Sequence, residues 1–376
     1  MKKLFFDWGI SDHTGWGVYG SNLLLSGMRD PRFEIYPIDW PPSFIYPLNP
    51  IIALEIDKYL GNKPLNTIIN DGDILLTALG NSVDKKDLEG CHKEIGVIFF
   101  EASPLAHQDI EKLKKFTSII TGSTWNHQLL KNWGINNQLV IQGVDTDLFR
   151  PLKKKFLGDR VVVFSGGKLE FRKGQDIALK AFSIFSEKHE DALLISCWRS
   201  PWEAQSMPTI NSSRICNPII TQGDAGDSIR NWVFSHGVKP NQYSDLGSVP
   251  NQLMPDILRE VDIAIFPNRA EGGTNLVAME AISAGVPCAI SNNTGHQDLI
   301  KHCECIPLTI QSKVQTNANA SCVDWGESSV DELVEILEGA YQNRLALPDK
   351  LAISNSIKTF TWDNSINKLL NAANAY

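Results

Sequence analysis

The sequence predicts an α/β protein made of two doubly wound, Rossmann-like domains, and three observations carry that expectation. Short apolar runs alternate with amphipathic segments of helical length, as strands do when crossover helices join them into parallel sheets. The alternation breaks once, at "DTDLFRPLKKKFLGDR", and then restarts. Each half opens alike, with an apolar run, a glycine-rich loop and a helix. Ligands of such folds collect at the carboxyl ends of the strands, and two units facing each other make a cleft.

Taken in order, "KLFFDWG" reads as a first strand, and "SDHTGWGVYGSNLLLSG" as a glycine-rich turn running into a helix. "DILLTALG", "EIGVIFFEA", "SIITGS" and "QLVIQGVD" read as further strands, with helices in "HQDIEKLKKF" and "TWNHQLLKNWG". After the break come a strong strand, a glycine loop and a helix in "RVVVFSGGKLEFRKGQDIALKAFSIFSEKH". "DALLISCW", "LGSVPN", "VDIAIFPN" and "VPCAIS" then read as strands. "SSVDELVEILEGAYQN" is a helix whose Ser329 and Glu332 have capping-box spacing. "FTWDNSINKLLNAA" is the last helix, and "QSKVQTNANASC" is the most loop-like stretch. These readings divide the chain into domains at 1–152 and 153–355, with a terminal segment 356–376.

With 376 residues the chain can bury a sizeable core in two or three domains. Its 35 basic and 43 acidic residues leave a formal charge of −8, which argues against a nucleic-acid surface but not against a local basic pocket. Seven scattered cysteines without a CxxC pair point to reduced thiols, a reducing cytosol and no metal site. Asp7 ends the first apolar run too early for a signal peptide, and no stretch approaches a membrane span. The expectation is a cytoplasmic, soluble protein. The basic cluster Arg150, Lys153, Lys154, Lys155 and Arg160 reads either as a solvated linker or as a peripheral membrane contact that would suit a lipid-linked acceptor.

Three loops at strand ends carry candidate chemistry. In "RAEGGTNLVAMEAISAGVP" a helix should start near Thr274 or Asn275 and close at Gly285 and Pro287. Glu280 is then about a turn too deep for a capping-box acid. It is either a solvated residue on the helix edge or a carboxylate aimed at ligand hydroxyls, such as those of a ribose. Glu271 precedes Gly272 and Gly273, where backbone and helix dipole suit a phosphate. A carboxylate there fits a neutral sugar hydroxyl, or is a surface acid. In "SGGKLEFRKG", Lys168 and Lys173 beside Gly167 can straddle a diphosphate, or can simply be solvated. In "HTGWGVYG", Gly15, Gly17 and Gly20 satisfy the letters of the dinucleotide pattern, and Glu34 and Asp39 stand where an acid would be wanted, so a dehydrogenase reading stays open.

Together these segments resemble the family 4 glycosyltransferases, which have the GT-B fold, over nearly the whole chain. "SGGKLEFRKGQDIALKAF", "VPNQLMPDILREVDIAIFPN" and "EGGTNLVAMEAISAGVP" stand in that family's order, "IQGVDTDLFRP" resembles the end of its first domain, and "FTWDNSINKLL" its terminal helix. The resemblance implies a C-terminal helix packing back on the first domain. It also implies retaining transfer from a nucleotide-diphosphate sugar to a hydroxyl of a glycan, lipid-linked or small-molecule acceptor, without metal or other cofactor. By position, Lys168 and Lys173 would hold the donor diphosphate and Glu280 the ribose. Glu271 with Gly272, Gly273, Thr274, Asn275 and Leu276 would meet the transferred sugar, and Gly15 and Gly17 the phosphate and acceptor side. Three departures stand out. Lys168 replaces a common arginine, which loses bidentate binding; the two glutamates are nine apart instead of eight; and Glu101 stands where many members place a histidine. Glu101 is expected to line the cleft, with His107 a surface helix residue. A GT-B-shaped epimerase or a sugar phosphorylase is the alternative.

Overall fold

A computed structural model describes residues 2–38, 42–44, 48–60, 69–70, 72–83, 93–315, 322–342 and 349–376. Asp39, Cys91 and part of "QSKVQTNANASC" lie outside them. The chain forms two compact units, one of Met1–Gly143, Pro250–Gln252 and Phe360–Tyr376, the other of Val144–Val249 and Leu253–Thr359. The first boundary falls before residue 152 because Phe149 is buried in the second unit, its carbonyl accepting from Ser283 Oγ at 2.7 Å.

In the first unit, β1 (Lys2–Phe6), β2 (Phe33–Pro37), β3 (Ile74–Leu79), β4 (Lys93–Ile98), β5 (Ser118–Thr121) and β6 (Asn137–Leu139) form a sheet in the order β2-β1-β3-β4-β5-β6. Every pair is parallel. Crossovers carry α1 (Gly15–Gly27), α2 (Pro50–Leu60), α3 (His107–Leu113) and α4 (Thr124–Asn132). The central strands β3, β4 and β5 are almost wholly buried, as crossover helices on both faces require. Strand β6 is shorter than "QLVIQGVD" suggests, ending at Leu139.

The second unit repeats the scheme with β7 (Val161–Gly166), β8 (Ala192–Cys197), β9 (Tyr243–Asp245), β10 (Ile263–Phe266), β11 (Cys288–Ser291) and β12 (Ile306–Leu308). Their order is β12-β11-β10-β7-β8-β9, again all parallel. Its helices are α5 (Gln175–Ser186), α6 (Glu203–Ser206), α7 (Ala225–Ser235), α8 (Met254–Leu258), α9 (Leu276–Ser283) and α10 (His296–His302). A hairpin of β13 (Gln311–Lys313) and β14 (Gly326–Ser328) follows, then α11 (Val330–Tyr341) and α12 (Lys350–Ser356). Helix α13 (Trp362–Asn374) belongs to the first unit, where Ser26 Oγ donates to Asp363 Oδ1 at 2.8 Å and Arg32 Nη1 to Asn371 Oδ1 at 2.5 Å. The second core joins Val163, Phe182, Trp198, Ile263 and Leu333, each such side chain contributing about 1.5–3 kcal/mol by burial. Among the described residues no helix is long and apolar enough to cross a membrane.

Two local expectations change. "LGSVPN" is not a strand: Asp245 Oδ1 accepts from Gly247 N at 3.0 Å and Gly247 has φ +70°, so a turn ends the ladder after β9. Ser329 does cap α11, accepting from Glu332 N at 3.3 Å. The Glu332 carboxylate, however, accepts from Thr309 N at 2.8 Å and Ile310 N at 3.0 Å, holding the preceding strand rather than closing a capping box.

The strand order also brings two of the candidate loops side by side. In the second sheet β8 and β9 lie on one side of β7, while β10, β11 and β12 lie on the other. The direction of winding reverses between β7 and β10, and ligands of open α/β sheets bind beyond the strand ends at that reversal. Lys168 and Lys173 follow β7, and Glu271 follows β10.

Candidate active site

The loop leaving β7 is shaped by two glycines. Gly167 has φ +104°, and the Lys173 side chain runs beside it, so a Cβ there would lie 3.9 Å from Lys173 Nζ. Gly174 has φ +69° and faces the Pro267 carbonyl so closely that a Cβ would meet it at 2.1 Å. Between them Phe171–Lys173 make one 3-10 turn. Gln175 staples the loop from the start of α5: its Nε2 donates to Gly167 O at 3.1 Å and Lys168 O at 2.9 Å. No side chain caps α5, because its N-cap is Gly174.

The loop leaving β10 meets this turn with charge. Arg269 is wholly buried: its guanidinium donates to Asp176 Oδ1 at 2.8 Å and Oδ2 at 2.7 Å, to Phe171 O at 2.7 Å and to Glu327 Oε2 at 2.8 Å. It thereby ties the turn, the start of α5 and β14 to one point. Glu271 is 5% exposed; its Oε1 accepts from Lys173 Nζ at 2.5 Å and from Asn268 Nδ2, and its Oε2 pairs with Arg172 Nη1 at 3.1 Å. Arg172 Nη2 donates to Glu170 Oε1 at 2.5 Å, and Lys168 Nζ lies 3.1 Å from Glu170 Oε2. Five charges therefore alternate: Lys168, Glu170, Arg172, Glu271, Lys173. Burial alone would push the Glu271 carboxyl up, but Lys173 and then Arg172 hold it at about 2. Glu170 is likewise lowered against burial by Arg172, Lys168 and Lys173.

Helix α9 has Asn275 as its N-cap, but Asn275 caps nothing with its side chain. It has φ +67°, and its Nδ2 lies 3.2 Å from His296 Nε2. His296 is wholly buried; desolvation outweighs the attraction of Glu271 and lowers its imidazole to about 4, so the ring is neutral at physiological pH. Thr274 turns inward and donates to Met279 Sδ at 3.0 Å. The backbone of the Glu271–Gly273 stretch is pressed against the next loop: a Cβ on Gly295 would meet Gly273 O at 1.8 Å. Glu271 N donates to Thr294 Oγ1 at 2.8 Å and its carbonyl accepts from Gly295 N at 3.0 Å. Leu276 is half-buried at the helix start. Glu280 is buried, not a solvated edge residue. It lies near Cys197, whose thiol is pushed to about 12 by burial first and then by Asp245 and Glu280.

Gly15, Gly17 and Glu101 belong to the first unit, so only the second-unit residues are gathered here. Gly17 N donates to Thr14 Oγ1 at 3.0 Å, and a Cβ on Gly17 would fall 1.7 Å from Ser11 Oγ. Glu101, half-buried, follows β4; its N–H and that of Ala102 donate to Asn81 Oδ1 at 2.7 and 2.9 Å. His107 is exposed at the start of α3. The basic cluster is partly committed: Lys154 Nζ pairs with Asp262 Oδ2 at 2.6 Å, and Arg160 donates to the carbonyls of Asp191, Ala192 and Asn241. Arg172, Glu170, Asn268 and His296 join the site without having been singled out in the sequence. Arg172 lies inside "FRKG", and His296 follows Gly295 after a strand, the same strand–glycine–helix signal that marks the other loops.

Residues 146–319 match the family described as "Glycosyl transferases group 1". That match covers a little under half of the chain, most of it in the second unit. The chain is 26% identical over 174 residues to the GDP-mannose-dependent alpha-(1-6)-phosphatidylinositol monomannoside mannosyltransferase of Mycobacterium tuberculosis, covering 43% of this chain and 39% of that one. It thus spans well under half the length of that relative. Solved structures match over the full length and show the GT-B fold. Anabaena Alr3699/HepE in complex with UDP and glucose aligns at TM-score 0.63 and 12% identity, covering 100% of both chains. Sucrose-phosphate synthase of Thermosynechococcus elongatus aligns at TM-score 0.63 and 13% identity, covering 100% of this chain and 99% of that one.

Proposed function

We propose that this protein is a glycosyltransferase that moves a hexose or related sugar, with retention of anomeric configuration, from a nucleoside-diphosphate sugar to a hydroxyl of a glycan, lipid-linked or small-molecule acceptor. The observation that carries the reading is the pair of lysines after β7, linked through acids to the loop after β10 at the reversal of the sheet. A diphosphate leaving group gains negative charge as the glycosidic bond breaks. Lys168 and Lys173 stabilise that charge from positions set before reaction. The amides of Gly272 and Gly273 and the first turn of α9, with Thr274, Asn275 and Leu276, add backbone donors and the positive end of a dipole. Gly167 lets the donor approach the backbone, Glu280 accepts from the ribose hydroxyls, and Glu271 stands beside the transferred sugar. In the first unit, Glu101 faces the acceptor or sugar, and Gly15 and Gly17 form the glycine turn on the acceptor side.

The likeness to a GDP-mannose enzyme and to UDP-bound structures supports a nucleoside-diphosphate donor. A panel of UDP- and GDP-sugars tests the reading by thermal shift, since a ligand at about 100 Kd that binds only the native state adds about 2.7 kcal/mol. Product analysis with hydroxyl acceptors then reads the linkage. No stabilisation by any nucleoside diphosphate, or an inverted anomeric product, would overturn it.

A further inference from the structure

Arg172 is the middle member of the five-charge chain and pairs with both of its acids. Its side chain is 11% exposed, close to Lys173 at 13% and below Lys168 at 37%. Nη2 is taken by Glu170, while Nη1 serves both Glu271 and the Ala270 carbonyl at 2.8 Å. Each carboxylate is shared evenly, one oxygen to the arginine and the other to a lysine. The lysines thus stand at the two ends of the chain, each with one acid to leave behind.

We propose that Arg172 is a positioning residue for departure of the donor diphosphate: it keeps Glu170 and Glu271 paired and in place when Lys168 and Lys173 turn from them to the diphosphate. The inference rests on the reading of the lysines given under Proposed function. Three cations against two acids leave one net positive charge, too little for a diphosphate unless the lysines loosen from their acids. Glu271 is almost fully buried, and a buried carboxylate left without any cation is strongly disfavoured. Without Arg172, Lys173 would be held back on Glu271, or Glu271 would take up a proton. Arg172 prevents both because one planar guanidinium serves two carboxylates at once, which an ammonium cannot do with the same geometry. It does not itself bind the phosphate.

The other groups facing Glu271 are Lys173, Asn268, the Thr294 hydroxyl that holds its N–H, and the neutral His296. None of them replaces the second full charge. Loss of Arg172 therefore raises the Glu271 carboxyl, and with it the pH below which the site fails.

The test uses the full chain with Arg172→Met and Arg172→Lys. UDP and GDP binding is measured first, and then kcat and KM for the nucleotide sugar that turns over, from acid to neutral pH. The expected result for Arg172→Met is a loss of kcat/KM on the order of 10²-fold, as for a small misplacement at a reacting centre. Its acid limb moves to higher pH. Arg172→Lys, which keeps the charge and the fold, shows a smaller move in the same direction. If the parent binds and turns over its donor while the Arg172→Lys limb and kcat stay at parent values, this inference falls alone. If the parent binds no nucleoside diphosphate, both readings fall.

Discussion

The loop after β1 and the loop after β7 occupy the same place in their sheets, each at the reversal of strand order and each opening a helix. Their contents differ. In the first, Thr14 caps α1, its Oγ1 lies 2.9 Å from Ser11 Oγ, and Trp16 packs on Trp8 and Phe99 at ring distances of 5.3 and 5.0 Å. In the second, a glycine without a side-chain cap opens α5, and five charged side chains fill the turn and the facing loop. The first loop pairs hydroxyls and rings, with one His13–Asp12 contact at 3.0 Å, and its Gly17 and Gly20 have no room for a Cβ. The second holds cations paired with acids, Lys168 the most exposed of them at 37%, and such cations can be exchanged onto an anion. A shared topology thus fixes where a ligand can sit, and the charge placed there decides what ligand it is.

The comparison breaks most sharply at Lys173. Lys173→Ala leaves Glu271 paired with Arg172, so the fold stays intact while kcat falls by about 10²–10³-fold, as on loss of a preorganised donor to developing charge. Near-normal turnover would remove the assignment. Glu280→Gln comes next. Weakening a charge-assisted bond to the donor should raise donor KM roughly tenfold to a hundredfold, with Tm changed little. An unchanged KM would move the ribose elsewhere.

A smaller effect follows from His296. Its folded imidazole titrates near 4 and its unfolded one near the ordinary 6.5. The unfolded chain therefore binds the extra proton between those values, so stability is full above about 6.5 and falls as pH drops towards 4. The slope is at most about 1.4 kcal/mol per pH unit. Glu271 acts in a separate window, its contribution being lost only as pH falls from about 4.5 towards 2. Urea titrations from pH 7 to 4 read the first window, and His296→Asn should flatten it; a parent already flat there contradicts the buried neutral ring. The smallest effect belongs to the first loop. Gly17→Ala meets Ser11 Oγ and should cost about 1–3 kcal/mol by overpacking. Ser11→Gly in the same chain should restore much of that loss, and additivity of the two changes would show that the hydroxyl is not the obstacle.

Much of this architecture was legible in the residues. Apolar runs of strand length, glycines after them and Ser329 before its helix are local features, and each element forms where its own few residues direct it. "LGSVPN" misled because a side-chain turn at Asp245 overrode a strand-like composition. The site was legible as loops and not as contacts. Lys173 and Glu271 stand 98 positions apart, and Arg269 and Asp176 stand 93 apart.

By itself, then, the sequence determined two doubly wound units, the loops that bear the charges, and Glu280 as an acid too deep to be a cap. Tertiary structure alone decided that β10 lies beside β7, and hence that Glu271 meets Lys173 and Arg172 instead of water. It also decided that Arg172, unremarkable in "FRKG", bridges the buried Glu271 and the half-buried Glu170. The physical reason is range. Backbone preference and helix caps act over a few residues, whereas the partner of a buried charge is chosen by which strands become neighbours, and burial makes that choice costly to reverse.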